Sequence, residues 1–281
     1  MNTTPIKKKK RKLRWQIKLA LAVIGVLILC LFVKSCFFSS GSAEKKTAEV
    51  TETTEPAEPQ IKVPVVPQAN EAVVPLTNDV TVLLDPGHGG YDPGNMVGEI
   101  AESNIDLAAA KACAAKLESL DSHIKVVLTR DSDVVPWPND EVGDLTARVE
   151  LQESTHADYF VSIHSNSYTD ASATGFAFYV KDTDPAGQGL AASITEAFTK
   201  AGWSREQGTL FTKYNPIQVV SEAKIPAILV EMGYMSNPEE LAALNDSRVQ
   251  NALGETIAVG IYNYLTNPAA ETQTADQTTA H

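Results

Sequence analysis

A short apolar strand that breaks abruptly into a glycine-rich turn, Leu83-Leu84-Asp85-Pro86-Gly87-His88-Gly89-Gly90-Tyr91-Asp92-Pro93-Gly94, limits the folds open to this chain more than any other segment. Residues 80 to 84 read as a buried strand, and Pro86 and Gly87 end it. His88 is then presented at a strand's carboxyl end, where open α/β sheets place their ligand sites. Glycines beside it carry no Cβ, so the backbone can crowd close to whatever His88 binds. A histidine in a turn more often only hydrogen-bonds a carbonyl, so the rest of the chain has to decide.

Beyond this turn the chain alternates helices with strands. Glu102 to Leu120 predicts a helix with Ile105, Ala109, Ala112 and Leu120 near one face, and residues 124 to 129 a β-branched strand. A helix capped by Asp144 is expected through Leu145, Val149 and Leu151. Strands are expected at 159 to 164, 176 to 180 and 226 to 231, with helices at 187 to 201, 238 to 244 and 246 to 265. This pattern predicts an α/β domain over residues 79 to 266, a twisted and largely parallel sheet flanked by helices on both faces. About 190 residues suffice for one sizeable core. Cys113 has no disulfide partner in this stretch, and Ala109, Ala112 and Leu117 around it suggest a buried small hydrophobe.

Charge is segregated. Of 23 Lys and Arg, eight (Lys7, Lys8, Lys9, Lys10, Arg11, Lys12, Arg14, Lys18) lie in the first 18 positions, which hold no acid; the remainder carries 15 basic against 35 acidic residues, a net of -20. A basic cluster abutting an apolar run is a topology signal, and no nucleic-acid partner is expected. Residues 19 to 33 are apolar, fewer than the roughly 20 a spanning helix needs, but Lys34 can snorkel and Phe37 and Phe38 extend the run. The positive-inside rule predicts a cytoplasmic basic tail at 1 to 18, a transmembrane signal anchor at 19 to 38 and everything beyond outside the cell membrane. A cleaved signal peptide is the alternative, with small residues at Gly41-Ser42-Ala43. The bulky, charged stretch 34 to 38 makes a poor cleavage region, which favours the anchor. Residues 39 to 78, rich in Thr, Glu and Pro, are expected to be a disordered linker, and 267 to 281 a disordered tail.

Four polar side chains stand at strand ends or at the helix start that comes after one. His88 succeeds the first strand, Glu102 opens a helix, His164 ends Tyr159-Phe160-Val161-Ser162-Ile163, and Glu231 ends Ala227-Ile228-Leu229-Val230. Parallel strands deliver their carboxyl ends to one edge, so these four should converge. Two imidazoles and one carboxylate suit a hydrolytic zinc with an open position for water, leaving a second carboxylate for proton transfer. Ordinary readings compete: Glu102 as a first-turn acid complementing the helix dipole, His164 as a satisfied core histidine. Glu231 is harder to dismiss, because a carboxylate after three apolar residues is costly to desolvate. Arg148 is balanced between a helix surface position and one that reaches the site. His123 and His156 have surface readings.

The blocks Asp85 through Gly94, Glu102-Ser103-Asn104-Ile105-Asp106-Leu107, Val161-Ser162-Ile163-His164-Ser165-Asn166 and Val230-Glu231-Met232-Gly233-Tyr234-Met235-Ser236-Asn237-Pro238 resemble the signature blocks of the zinc-dependent N-acetylmuramoyl-L-alanine amidases, bacterial cell-wall hydrolases of the amidase 3 type. The resemblance covers roughly residues 80 to 266 in the family's order. It implies a phosphorylase/hydrolase-like fold, one Zn²⁺ held by His88, Glu102 and His164, and Glu231 as catalytic acid and base. Asp85 and Asn166 become candidates for orienting His88 and substrate. Asp106 departs from the family's usual Asn, and Met232 from its common Leu. The implied substrate is peptidoglycan, cut at the amide joining the lactyl group of N-acetylmuramic acid to L-alanine of the stem peptide. Glu231 would take a proton from the attacking water and hand it to the departing amine. A membrane-tethered zinc peptidase acting on wall peptides and a non-catalytic murein-binding regulator are the competing readings. With no wall-binding repeat visible, recruitment is expected from the anchor, the domain surface or a partner protein.

Overall fold

In the computed structural model, which describes residues 61–71 and 74–267, the sheet begins with β1 (Val80–Pro86) and its neighbour β4 (Ile124–Leu128). The other strands of that sheet are β5 (Tyr159–Asn166), β6 (Phe176–Val180), β7 (Glu206–Phe211) and β8 (Ala227–Tyr234). A separate two-stranded hairpin, β2 (Met96–Val97) and β3 (Ile100–Ala101), precedes α1 (Glu102–Leu120). The remaining helices are α2 (Glu141–Ser154), α3 (Pro185–Ala201), α4 (Gln218–Ser221), α5 (Pro238–Leu244) and α6 (Ser247–Leu265).

The six strands stand in the order β4-β1-β5-β8-β6-β7. Pairing is parallel from β4 to β8, antiparallel between β8 and β6, and parallel again between β6 and β7. The sheet is therefore mixed, the two strands at one edge running against the other four. Alternate residues feed opposite faces. Val82, Leu84, Val161, Ile163 and Val230 point into a large core under α1, α3 and α6. Leu83, Phe160, Ala227 and Leu229 point the other way, onto Leu145 and Leu151 of α2 and Val219 and Val220 of α4. Helices thus cover both faces, as expected. Gly254 of α6 lets that helix pack directly on α1, since a Cβ there would lie 2.1 Å from the Ala109 carbonyl oxygen. Cys113 is fully buried in this core and its thiol pKa is pushed up by burial.

Two expectations need correction. The linker assigned to residues 39 to 78 is not a disordered tether from residue 61 onward. Lys62 Nζ donates to the Gly202 carbonyl (2.6 Å), the Val65 amide to Ala201 (3.1 Å), the Asn70 amide to Asn263 Oδ1 (2.9 Å) and the Val74 amide to Thr266 (3.0 Å). Ile61, Val63 and Leu76 pack on the large core. Average composition hides these apolar anchors, and Pro64 and Pro67 reduce the entropy lost on docking. The second correction is the cap of α2. The helix starts at Glu141, with Asp140 accepting from the Gly143 amide at 2.9 Å, because the Asp144 carboxylate is engaged by Arg148 one turn on. The expected basic tail, anchor, cleavage site, linker residues 39–60 and the tail from residue 268 lie outside the described residues. Among the described residues no helix is long and apolar enough to cross a membrane.

Candidate active site and metal centre

The turn after β1 folds back on itself. The Gly87 amide still bonds Ile163 of β5 (2.9 Å), after which His88 takes a left-handed conformation with φ 59°. A non-glycine residue held there stores roughly 1–2 kcal/mol of strain. Paired hydrogen bonds between Gly89 and Asp92 close the loop and bring Asp92 Oδ2 to 2.6 Å from His88 Nδ1. The β2–β3 hairpin then delivers Glu102 to the first turn of α1. Its Oε2 accepts from the Asn95 amide (2.9 Å) and side chain (2.6 Å). Its Oε1 faces His88 Nε2 at 3.0 Å and His164 Nδ1 at 3.1 Å. His164 and Glu231 are register partners on β5 and β8. The four predicted residues do converge.

The donor set fits a metal ion. With the His88 Nδ1 proton directed at Asp92, the Nε2 lone pair confronts a Glu102 oxygen lone pair, an arrangement that a cation or a proton between them must relieve. Donors about 2.0–2.1 Å from a tetrahedral zinc stand roughly 3.3 Å apart, close to these separations. Gly87 and Gly94 keep the cradle open: a Cβ on Gly87 would lie 2.3 Å from the His164 ring, and one on Gly94 2.6 Å from that of His88. Electrostatics report the same crowding. Burial opposes a charged His88, but hydrogen bonds and charge from Glu102 and Asp92 outweigh it and lift its pKa to about 9. Burial would raise Glu102, yet both histidines hold it well below the usual carboxylate range.

Two further carboxyls adjoin the set. Asp106, one turn along α1, belongs with His88, Glu102 and His164 to a group whose ligand atoms all lie within 4.8 Å of one another. It accepts from Ser165 Oγ (3.0 Å), and burial, with the charge of Glu102, pushes its pKa well up. Glu231 is half-buried, with Oε2 sealed from solvent and without a hydrogen-bond partner. Burial first, then the Glu102 charge, raise its pKa to about 8, against the opposing influence of His88.

Asp85 does not touch the His88 ring; Asp92 holds that ring instead. Asp85 is fully buried and accepts from Thr129 Oγ1 (2.6 Å), Ser162 Oγ (2.8 Å) and Arg148 (2.6 Å). These partners hold its pKa below the ordinary value despite burial, which acts the other way. Arg148 is buried too, pairs with Asp144, stacks on Trp137 and donates to the His88 carbonyl at 2.6 Å. It therefore acts on the backbone of the His88 turn. Asn166 lines the cleft and its Oδ1 accepts from the Ser167 amide (2.7 Å). The cleft, about 680 Å³, is lined by the polar cluster and also by Leu145, Ile217 and Val219. Sequence reasoning gave no role to Asp92, Asn95 or Arg130. Only Asp92, four residues after His88 in a tight turn, carried a usable signal.

Residues 82–263 match the family described as N-acetylmuramoyl-L-alanine amidase. The chain is 30% identical over 191 residues to the probable cell wall amidase LytH of Staphylococcus epidermidis, covering 66% of this chain and 59% of that protein. It thus spans under two thirds of the length of the curated relatives it matches. Among solved structures it resembles an N-acetylmuramoyl-L-alanine amidase from Clostridium difficile 630 (31% identity, TM-score 0.61, 68% of this chain and 100% of that one). It also resembles the CwlD amidase from Clostridioides difficile in complex with the GerS lipoprotein (28% identity, TM-score 0.59, 66% and 98% covered).

Proposed function

Given that the chain belongs to the N-acetylmuramoyl-L-alanine amidase family, we propose that it hydrolyses the amide between the lactyl group of N-acetylmuramic acid and L-alanine of the peptidoglycan stem, using one zinc ion held by His88, Glu102 and His164. The observation that carries this reading is the confrontation of His88 Nε2 and His164 Nδ1 with one Glu102 oxygen, beside an unpartnered Glu231 oxygen. Zinc bound there supplies Lewis-acid polarisation and acidifies water.

The chain's own residues do the rest. With Asp92 Oδ2 at 2.6 Å from its Nδ1, a neutral His88 would carry its proton there and present Nε2 to the metal. Asn95 ties down Glu102 Oε2, leaving Oε1 to face the histidines. Glu231, whose Oε2 has no hydrogen-bond partner, is placed to accept a proton and return it to the alanine nitrogen as that nitrogen leaves, and a cation held beside it would lower the pKa that burial raises. Arg148 and Asp85 brace the turn from beneath, and Asn166 at the cleft edge is placed to meet substrate. Leu145, Ile217 and Val219 in the cleft lining are suited to the lactyl and alanyl methyl groups.

An uncleaved membrane anchor is proposed as well, with the catalytic domain outside the cell at the wall. A solved relative is held in complex with a lipoprotein, and an activating or recruiting partner is proposed for this chain on that analogy. The test is mass spectrometry of purified peptidoglycan digested by the full-length protein with zinc. Stem peptides with a free L-alanine amine, released together with intact glycan, are expected from the wild type and not from Glu231→Gln. Cuts within the stem would favour the peptidase reading.

A further inference from the structure

Arg130 stands two residues beyond the end of β4 and is only 3% exposed, yet it forms no ion pair with any described carboxylate. Its donors go to carbonyls. Nε donates to Pro86 (3.1 Å), Nη1 to Ser132 (3.2 Å), and Nη2 to both Gly87 (2.6 Å) and Ser103 (2.8 Å). That one Nη2 atom therefore joins the residue just before His88 to the residue just after Glu102. Contact is close as well, since a Cβ on Gly89 would meet Arg130 Nε at 2.6 Å. Arg148 differs: it is spent on Asp85, Asp144 and the carbonyls of the His88 turn, and no hydrogen bond links it to α1.

The Gly87 and Ser103 carbonyls belong to a turn that has left the sheet and to the first turn of a helix. A planar guanidinium presents its donors in a fixed fork, which an ammonium cannot reproduce. We propose that Arg130 is a positioning residue that locks the His88 turn to the start of α1, and by fixing the separation of the His88 and Glu102 donors sets the affinity of the site for its metal. The inference rests on the proposal that His88, Glu102 and His164 hold zinc.

The experiment compares full-length wild type, Arg130→Lys and Arg130→Met by three measurements: zinc affinity from competition with a chromophoric chelator, the visible spectrum of the Co²⁺-loaded protein, and melting of the metal-free protein. Residues that orient metal ligands typically account for 10–100-fold in affinity. Arg130→Met should bind zinc at least tenfold more weakly with an altered Co²⁺ spectrum, and Arg130→Lys, which keeps the charge but not the fork, should fall between it and wild type. A purely structural arginine would lower melting and leave affinity and spectrum of the folded protein unchanged. If Arg130→Met does not fold, Arg130→Lys decides alone: zinc affinity within twofold of wild type, with an unchanged spectrum, overturns the proposal. Wild type that binds no zinc overturns the metal reading first, and this inference with it.

Discussion

Replacing Glu231 by Gln should change how the metal-free protein's stability depends on pH. The native carboxyl, raised from its ordinary 4.5 to about 8 chiefly by burial, holds its proton to higher pH than the unfolded chain does. Between those two values the native state binds more protons, so stability is lost as pH rises. From pH 5 to pH 7 the difference grows by roughly 2–3 kcal/mol, at 1.36 kcal/mol per pKa unit. Gln does not titrate, and any cost of its unpartnered amide is the same at every pH. The stability of Glu231→Gln minus that of wild type should therefore rise with pH by roughly this amount. Urea unfolding of both metal-free proteins at pH 5, 6, 7 and 8 measures it, and subtraction removes the titrating groups remote from Glu231. A difference that stays flat across this range would refute the reasoning, because Glu231 would then be solvated in the native state.

The same contacts fix further outcomes. Glu231→Gln should retain zinc while losing about 10²–10⁴-fold in turnover, as measured by metal analysis and muropeptide release. Gly87→Ala places a methyl within 2.3 Å of the His164 ring and should weaken zinc binding at least tenfold, read by chelator competition; unchanged affinity would mean that the ring yields freely. A chain beginning at residue 79 should melt several degrees below one beginning at residue 61, since it forfeits the packing of Ile61, Val63 and Leu76. Cell fractionation should recover full-length protein with the membrane, its catalytic domain open to protease once the wall is removed; a mature form starting near Glu44 in the medium would establish cleavage instead.

The parts of the fold that were legible in the sequence are those where one local rule had no competitor. The helix expected over Glu102 to Leu120 has those bounds, and the apolar run ending in Glu231 is a buried strand whose last residues simply extend further than expected. Parallel topology was enough to bring His88, Glu102, His164 and Glu231 together. Where the structure departs, long-range partners decide. Asp144 was expected to cap α2, but its carboxylate is taken by Arg148, itself committed to Asp85 63 residues away, and Asp140 caps the helix instead. The strand β7 has Gly208 at φ 96° and a register shift opposite β6, which disguise it as loop. Asn95 and Arg130 carry no local signature, because their meaning lies in carbonyl and carboxylate positions set by the tertiary fold.

The segment from residue 61 to residue 76 also decides how the domain bears load. A pull on the chain ahead of residue 61 arrives first at the contacts of Lys62 and Val65 with Gly202 and Ala201, at the end of α3. Only after these yield, and then those of Asn70 and Val74 on the last turns of α6, does tension reach β1 and the His88 turn beyond it. The contacts of residues 61 to 76 with the ends of α3 and α6 thus stand between the preceding chain and the His88 turn.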